Sequence, residues 1–126
     1  MSKTVKIGMI GAGFVSDLHH FAFKNFVPDA EVVAVASPQH AEEFARQHAV
    51  PHAFSDYREM LKMKELDMVT IAMPNYLHCQ AALDIAKAGK HIICEKPLCK
   101  TLGEADMMIE AAKKAGVLLM YAEELL

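Results

Sequence analysis

A glycine-containing turn near the amino terminus is the first part of the sequence whose residue types point to a chemical role. The apolar segment Val5–Ile10 leads directly into residues 11–16, Gly-Ala-Gly-Phe-Val-Ser, with the spacing G-x-G-x-x-S. Gly11 permits a tight turn, Gly13 lacks the β-carbon that would block a pyrophosphate, and small Ser16 lets the next helix lie close to the strand. The free N–H groups at the start of that helix would bind phosphates. The pattern therefore predicts a dinucleotide-binding loop whose cofactor-facing residues are Gly11, Gly13, Phe14 and Val15.

Two further polar motifs follow strands later in the chain. Residues 73–75 (Met-Pro-Asn) stand at the end of the fourth predicted strand, and residues 94–97 (Cys-Glu-Lys-Pro) stand at the end of the fifth predicted strand. The carboxyl ends of strands in an open α/β sheet share the edge that binds ligands. We therefore expect Asn75, Glu95 and Lys96 to converge near the nicotinamide end of a bound dinucleotide. The proline after Lys96 restricts that lysine to an extended backbone, which fixes where its amine points.

The residue after the second predicted strand usually distinguishes NAD from NADP. NAD enzymes usually carry Asp or Glu there, which accepts a hydrogen bond from the ribose 2′-hydroxyl. This chain has Ser37 instead, so the carboxylate that would repel a 2′-phosphate is missing and the serine could donate to one. No Lys or Arg follows immediately, and His40 and Arg46 are the alternative partners. The sequence leaves the cofactor as NAD or NADP, with a slight preference for NADP.

Short apolar segments alternate with segments of helical period along the chain. The predicted strands are Val5–Ile10, Glu31–Ala36, a brief one near Ala53-Phe54, Met68–Met73, His91–Cys94 and Val117–Tyr121. The predicted helices are Phe14–Phe26, Gln39–Ala49, Asp56–Lys64, Tyr76–Ala88, and one that starts after Thr101 in a capping box with Glu104 and ends at Gly116. Such alternation requires crossover connections and hence a parallel sheet covered on both faces. We predict the α/β class: a doubly wound parallel sheet (Rossmann fold) forming a single domain over residues 1–126.

Helical spacing also predicts which side chains of the last two helices face the core. These inward residues are Leu77, Ala81, Ile85 and Ala88 in the first of the two helices. In the second they are Ala105, Met108, Ile109 and Ala112.

Composition excludes several classes of function. The chain of 126 residues is 53% hydrophobic and 23% charged with a formal net charge of −3, so it has no basic field for nucleic acid or an anionic membrane. Its longest apolar stretches are about six or seven residues, far below the roughly 18 of a membrane helix. The cysteines Cys79, Cys94 and Cys99 lack CxxC spacing, which favours reduced thiols and a cytoplasmic location. No histidine or cysteine pair has the spacing of metal ligands, so we predict no metal site.

Taken together, the motifs resemble those of the Gfo/Idh/MocA oxidoreductases, named for glucose-fructose oxidoreductase, inositol dehydrogenase and a rhizopine-catabolism protein. That family carries G-x-x-G-x-G near its start, P-N-x-x-H after the fourth strand, and then A-G-K-H-V-x-x-E-K-P. This chain has Gly8, Gly11 and Gly13, then residues 74–78 (Pro-Asn-Tyr-Leu-His), then residues 88–97 (Ala-Gly-Lys-His-Ile-Ile-Cys-Glu-Lys-Pro). The resemblance covers essentially the whole chain.

The resemblance implies hydride transfer between NAD(P) and a carbon that bears a hydroxyl or carbonyl group, on a sugar- or cyclitol-like substrate. It implies that Lys96 is the catalytic lysine, which hydrogen-bonds the reacting oxygen and stabilises alkoxide character. Glu95 would orient Lys96 or contact the nicotinamide ribose. Pro74 and Asn75 would line the cofactor, and His78 would pack near it.

Members of the family are longer than this chain and carry a second α/β domain that completes the substrate pocket. We expect the chain to be a fragment or truncated form that lacks this C-terminal domain, derived from a homo-oligomeric parent, and to bind cofactor with little turnover. Glu124 stands where relatives often have Asn. The alternatives are a non-catalytic NAD(P)-sensing regulator and a small assembly module.

Overall fold

The computed structural model describes residues 4–12, 20, 29–72, 78–95 and 102–122 of the chain. The strands are β1 (Val5–Ile10), β2 (Ala30–Ala36), β3 (His52–Phe54), β4 (Met68–Ile71), β5 (His91–Glu95) and β6 (Leu119–Ala122). The helices in these ranges are α1 (Ala41–His48), α2 (Tyr57–Met60), α3 (His78–Lys87) and α4 (Leu102–Ala115). The predicted helix Phe14–Phe26 and the capping residue Thr101 lie outside the described residues.

The strands form one parallel sheet of order β3-β2-β1-β4-β5-β6. The predicted doubly wound α/β fold is confirmed, and β1 has the predicted bounds. The third predicted helix, Asp56–Lys64, is wrong in length, because α2 ends at Met60 and continues as tight turns in which Lys62 N–H donates to the Glu59 carbonyl. The last strand is shifted toward the carboxyl terminus of its predicted range, to Leu119–Ala122.

Alternation along the strands fills a separate core on each face of the sheet. In β1, Ile7 and Met9 belong to the core under α1, whereas Ile10 belongs to the core under the other helices. Gly8 allows α2 to pack closely, since a β-carbon there would lie 3.0 Å from the Met60 sulfur. The core under α1 contains Ile7, Met9, Val35, Ala41, Phe44 and Val50. The opposite core includes Val69, Ile71, Ala81, Ile85, Ile92 and Met108.

Two of the predicted inward-facing residues are exposed. Ala88 is exposed because α3 already ends at Lys87 and Gly89 turns the chain with a φ of 76°. Ile109 is 51% exposed, whereas Met108 is fully buried. The physical reason is that α4 packs chiefly against α3 and touches the sheet little, so its buried stripe is narrow. Within the described ranges, no helix combines the length and apolar character needed to cross a membrane.

The amino edge of the sheet, where the parallel strands begin, is held by polar side chains that bond to the main chain. Lys90 is 5% exposed, and its Nζ donates to the carbonyls of Met63 at 2.8 Å and Leu66 at 3.1 Å. Desolvation lowers the pKa of Lys90, and the charge of Asp67 opposes this shift. Asp67 Oδ2 in turn accepts the N–H of Lys6 at 3.0 Å. These bonds tie the starts of β1, β4 and β5 together.

Candidate functional site

The turn after β1 lies against the end of β4 so closely that only glycine fits. Gly11 has a φ of 105°, and a β-carbon on it would lie 2.2 Å from the carbonyl oxygen of Ala72. Its N–H donates to the Ala36 carbonyl at 2.8 Å, and the N–H of Ala72 donates to the Ile10 carbonyl at 2.9 Å. The ends of β1, β2 and β4 are therefore fixed to one another at this turn. Contact of Gly11 with a cofactor stays a prediction.

The same turn lies at the switch point of the sheet, where the strand order reverses at β1. From β1 the order runs to β2 and β3 on one side, and β4 to β6 lie on the other. In open α/β sheets, ligands bind outside the carboxyl ends of the strands at such a switch point. Gly11 follows β1 and Ala72 follows β4, so both residues border this crevice.

Beside the crevice, the carboxyl ends of β2 and β3 border an open cleft of about 520 Å³. Its described lining residues are residues 37–39, Ala41, Glu42, residues 53–56 and Glu59. Ser37 is half-buried at the end of β2, and its N–H donates to the Phe54 carbonyl at 3.0 Å. The Ser37 hydroxyl oxygen accepts the N–H of His40 at 3.4 Å. The cleft thus contains the residue expected to meet the adenosine ribose.

Three carboxylates line this cleft from two different helix starts. Glu42 is exposed in the first turn of α1. Asp56 is the N-cap of α2, and its Oδ1 accepts the N–H of Arg58 at 2.9 Å. Glu59 pairs with Lys62 at 2.7 Å, and this contact raises the pKa of Lys62. None of the described lining residues is Lys or Arg, so the cleft is negative.

A partly buried hydrogen bond between α2 and α3 fixes the wall of the cleft that α2 supplies. The Tyr57 hydroxyl donates to Asp84 Oδ2 of α3 at 2.5 Å, and Gln80 Nε2 donates to Asp84 Oδ1 at 3.0 Å. Arg58 lies over the Tyr57 ring at 5.5 Å and its Nε is 3.8 Å from Asp84 Oδ2. Burial and the Asp84 contact raise the pKa of Tyr57 to about 12. The position of α2 is thereby coupled to α3.

The remaining predicted site residues lie partly or wholly outside the described structure. Those outside it are Gly13, Phe14, Val15, Pro74, Asn75 and Lys96. His78 begins α3 and Glu95 ends β5, but their side chains lie outside the described part. Since β4 and β5 are adjacent and parallel, the segments that follow them leave the same edge of the sheet. The convergence of these side chains stays a prediction.

Sequence reasoning missed the carboxylates and the tyrosine around the cleft. Asp56 and Glu59 lie at one helix start, but Glu42 is distant in sequence, and only the pairing of β2 with β3 brings it to the same cleft. Asp56 did carry a signal, since it is a good N-cap type directly before a helical segment. Tyr57 and Asp84 carried none. Among the described residues, no three His, Cys, Asp or Glu side chains gather as a metal site.

Comparison with known proteins decides the family. Residues 5–123 match the model GFO_IDH_MocA, described as an oxidoreductase family with an NAD-binding Rossmann fold. The chain belongs to this family. It is an NAD-binding Rossmann domain, as its motifs predict.

Relatives with known names or structures extend well beyond this chain. Levoglucosan dehydrogenase of Pseudarthrobacter phenanthrenivorans is 36% identical over 95% of this chain and 33% of its own length. An NADP(+)-dependent scyllo-inositol 2-dehydrogenase of Bacillus subtilis is 38% identical over 94% of this chain and 36% of its own length. A solved levoglucosan dehydrogenase in complex with NADH and levoglucosan superposes with a TM-score of 0.88 at 35% identity, over 95% of this chain and 35% of the other. The chain spans about a third of the length of these relatives.

Proposed function

We propose that this chain is the cofactor-binding part of an NAD(P)-dependent oxidoreductase that acts on a CH–OH group of a sugar- or cyclitol-like substrate. The observation that carries the proposal is the crevice at the β1–β4 switch point, bordered by the glycine-only turn at Gly11. The family match and the substrates in the names of the relatives support it.

In this proposal the dinucleotide lies along the carboxyl edge of the sheet. Its pyrophosphate would meet the turn and the helix start after β1, at Gly11, Gly13, Phe14 and Val15. Its adenosine ribose would lie in the cleft beside Ser37. The nicotinamide end would lie near the segments after β4 and β5, which contain Pro74, Asn75, His78, Glu95 and Lys96. One relative is named for NADP(+) and a solved relative holds NADH, so both cofactors occur among similar proteins.

The proposed chemistry needs one cationic side chain at the reacting oxygen. A bound nicotinamide would supply the acceptor for the hydride of the carbinol carbon. Lys96 would donate a hydrogen bond to the substrate oxygen, which stabilises its alkoxide character as the hydride departs. Glu95 would hold the amine of Lys96 in place, and the hydroxyl proton of the substrate would leave through Lys96 to Glu95 or solvent. Because the chain spans about a third of its relatives, we propose that on its own it binds cofactor with little turnover.

Cofactor binding is tested by calorimetric titration of the purified chain with NADH and with NADPH. Calorimetry is preferable because the chain has no Trp from which energy transfer could be followed. We expect saturable binding of at least one of the two, and a loss of at least about tenfold in affinity, about 1.4 kcal/mol, for Gly13→Val. The matched control is Gly116→Ala at the amino edge, which should bind as the unchanged chain does. No saturable binding of either dinucleotide would overturn the proposal.

The catalytic role is tested by turnover in the longest natural protein that contains this chain. We expect NAD(P)-dependent oxidation of a cyclitol or anhydrosugar, lost in Lys96→Ala and retained in Lys87→Ala, because Lys87 is exposed at the last turn of α3. Cofactor binding without turnover of any polyol would instead favour the non-catalytic NAD(P) sensor.

A further inference from the structure

We infer that the cleft beside Ser37 selects NAD(H) over NADP(H), because a 2′-phosphate placed there would lie among the carboxylates of Glu42, Asp56 and Glu59. The inference rests on the proposed function, since it concerns which dinucleotide the same edge accepts. It makes Glu42 and Asp56 specificity-determining residues. Neither of them occupies the position at the end of β2 where NAD enzymes usually carry a carboxylate.

The position of the cleft relates it to the ribose rather than to another part of the cofactor. Ser37 is the first residue after β2, where the partner of the ribose 2′-oxygen stands in dinucleotide-binding sheets. Its main-chain bond to Phe54 joins the ends of β2 and β3, so the cleft opens between the loops that follow these two strands. A phosphate on the 2′-oxygen would point into this cleft.

The carboxylates are not equally neutralised. Glu59 has a lysine partner at 2.7 Å, which offsets part of its charge. Asp56 uses one oxygen as the N-cap of α2 but remains exposed, and Glu42 is exposed in the first turn of α1. Glu42, and in part Asp56, therefore repel any anion that enters the cleft.

The cations near the cleft offset the charge of Asp56 only in part. The guanidinium of Arg58 packs over the Tyr57 ring and lies near Asp84 of α3, and its charge also acts on Asp56. Arg46 is in the last turn of α1, which carries it about 7 Å toward the amino edge from Ala41. Neither is among the residues that line the cleft.

The expected size of the effect follows from Coulomb's law. A phosphate of about two negative charges that enters a solvated cleft lined by carboxylates loses affinity several-fold after screening at physiological salt, and more at low salt. The ribose 2′-hydroxyl of NAD carries no charge and has no such loss. It can accept from or donate to the Ser37 hydroxyl, whose oxygen already accepts from His40.

The test is calorimetric titration of the chain with NADH and NADPH at low and at high salt. We expect NADH to bind about tenfold more tightly at low salt, and the ratio to shrink at high salt. In Glu42→Lys the ratio should shrink several-fold, chiefly because NADPH binds more tightly. The matched control is Glu43→Lys, which makes the same change in net charge on the neighbouring exposed residue outside the cleft lining, and should leave the ratio near its original value.

The outcomes separate this inference from the proposed function. If neither dinucleotide binds, the proposed function fails. If both bind and NADPH is equal to or tighter than NADH, dinucleotide binding stands and the selection of NAD(H) is overturned. If Glu42→Lys and Glu43→Lys change the ratio equally, net charge rather than the cleft determines it, and the assignment to Glu42 is overturned.

Discussion

The two edges of the sheet use their polar side chains in opposite ways. At the amino edge, Lys90 is buried and donates to two main-chain carbonyls, and Asp67 and His91 each accept a main-chain N–H. At the carboxyl edge, Asp56 also accepts a main-chain N–H, but its side chain and that of Glu42 are exposed around an open cleft of about 520 Å³. The polar groups of the amino edge are therefore committed to the fold, whereas those of the carboxyl edge face a space that a ligand can enter.

Positive φ angles divide between the two edges in the same way. The helices run back from the carboxyl edge, so Ala49, Gly89 and Gly116 end them at the amino edge with φ values of 55°, 76° and 72°. A β-carbon on Gly89 or Gly116 would have nothing within 4 Å. At the carboxyl edge, Gly11 is crowded by backbone. At the amino edge, Gly89 and Gly116 are favoured only by their positive φ. At the carboxyl edge, Gly11 is required both by its positive φ and by the nearby Ala72 carbonyl.

The largest effect that this comparison predicts is that of Gly11→Ala. The added β-carbon would meet a backbone oxygen at 2.2 Å, and a φ of 105° is strained for any L side chain. We expect a loss of about 3 to 4 kcal/mol in the free energy of unfolding, measured by urea denaturation. The matched variant is Gly89→Ala, with positive φ but open space, which should lose only about 1 kcal/mol. Equal losses in the two variants would show that the contact between the added β-carbon and the Ala72 carbonyl does not lower the free energy of unfolding.

The sequence predicted the features that depend on local pattern. Apolar segments and glycine positions predicted the six strands and the tight turn at Gly11, because strand burial and turn geometry depend on residues that are close in sequence. It failed where the cause is tertiary: Ile109 has the spacing of an inward residue, yet α4 packs chiefly against α3 and leaves it exposed. The choice between NAD and NADP stays a prediction: Ser37 alone favoured NADP, and nothing local indicated that Glu42 and Asp56 line the same cleft.

The next effect concerns the amino edge, where Lys90→Met removes the donor and keeps most of the side-chain volume. The carbonyls of Met63 and Leu66 would lose their hydrogen bonds to a cation. We expect a loss of about 2 kcal/mol in the free energy of unfolding at pH 7, with Lys87→Met as the exposed control that changes it by less than about 0.5 kcal/mol. A change as small as that of the control would mean that these bonds do not hold the edge.

The pH dependence of the same variant sharpens the contrast. The pKa of Lys90 is lowered in the fold, so the unfolded chain binds more protons just below its ordinary value of 10.5. The unchanged chain should therefore gain stability as pH rises toward 10.5, and Lys90→Met should lack this gain. Urea denaturation of the unchanged chain and of Lys90→Met between pH 7 and about 9.5 measures the difference in their free energies of unfolding. This difference should widen as pH rises. A difference that narrows over this range would contradict the buried position of the charge.

The smallest effect concerns the wall of the cleft, in Tyr57→Phe. The pKa of Tyr57 is raised to about 12, so the stabilisation that its hydroxyl gives is complete below pH 10 and is lost as pH rises toward 12. The variant should lose about 1 kcal/mol at pH 7, after allowance for partial exposure. Asp84→Asn and the double variant complete a cycle, in which the two changes should be coupled by a similar amount. Additive losses would show that Tyr57 and Asp84 act separately, and that the α2 wall of the cleft is positioned by packing rather than by their hydrogen bond.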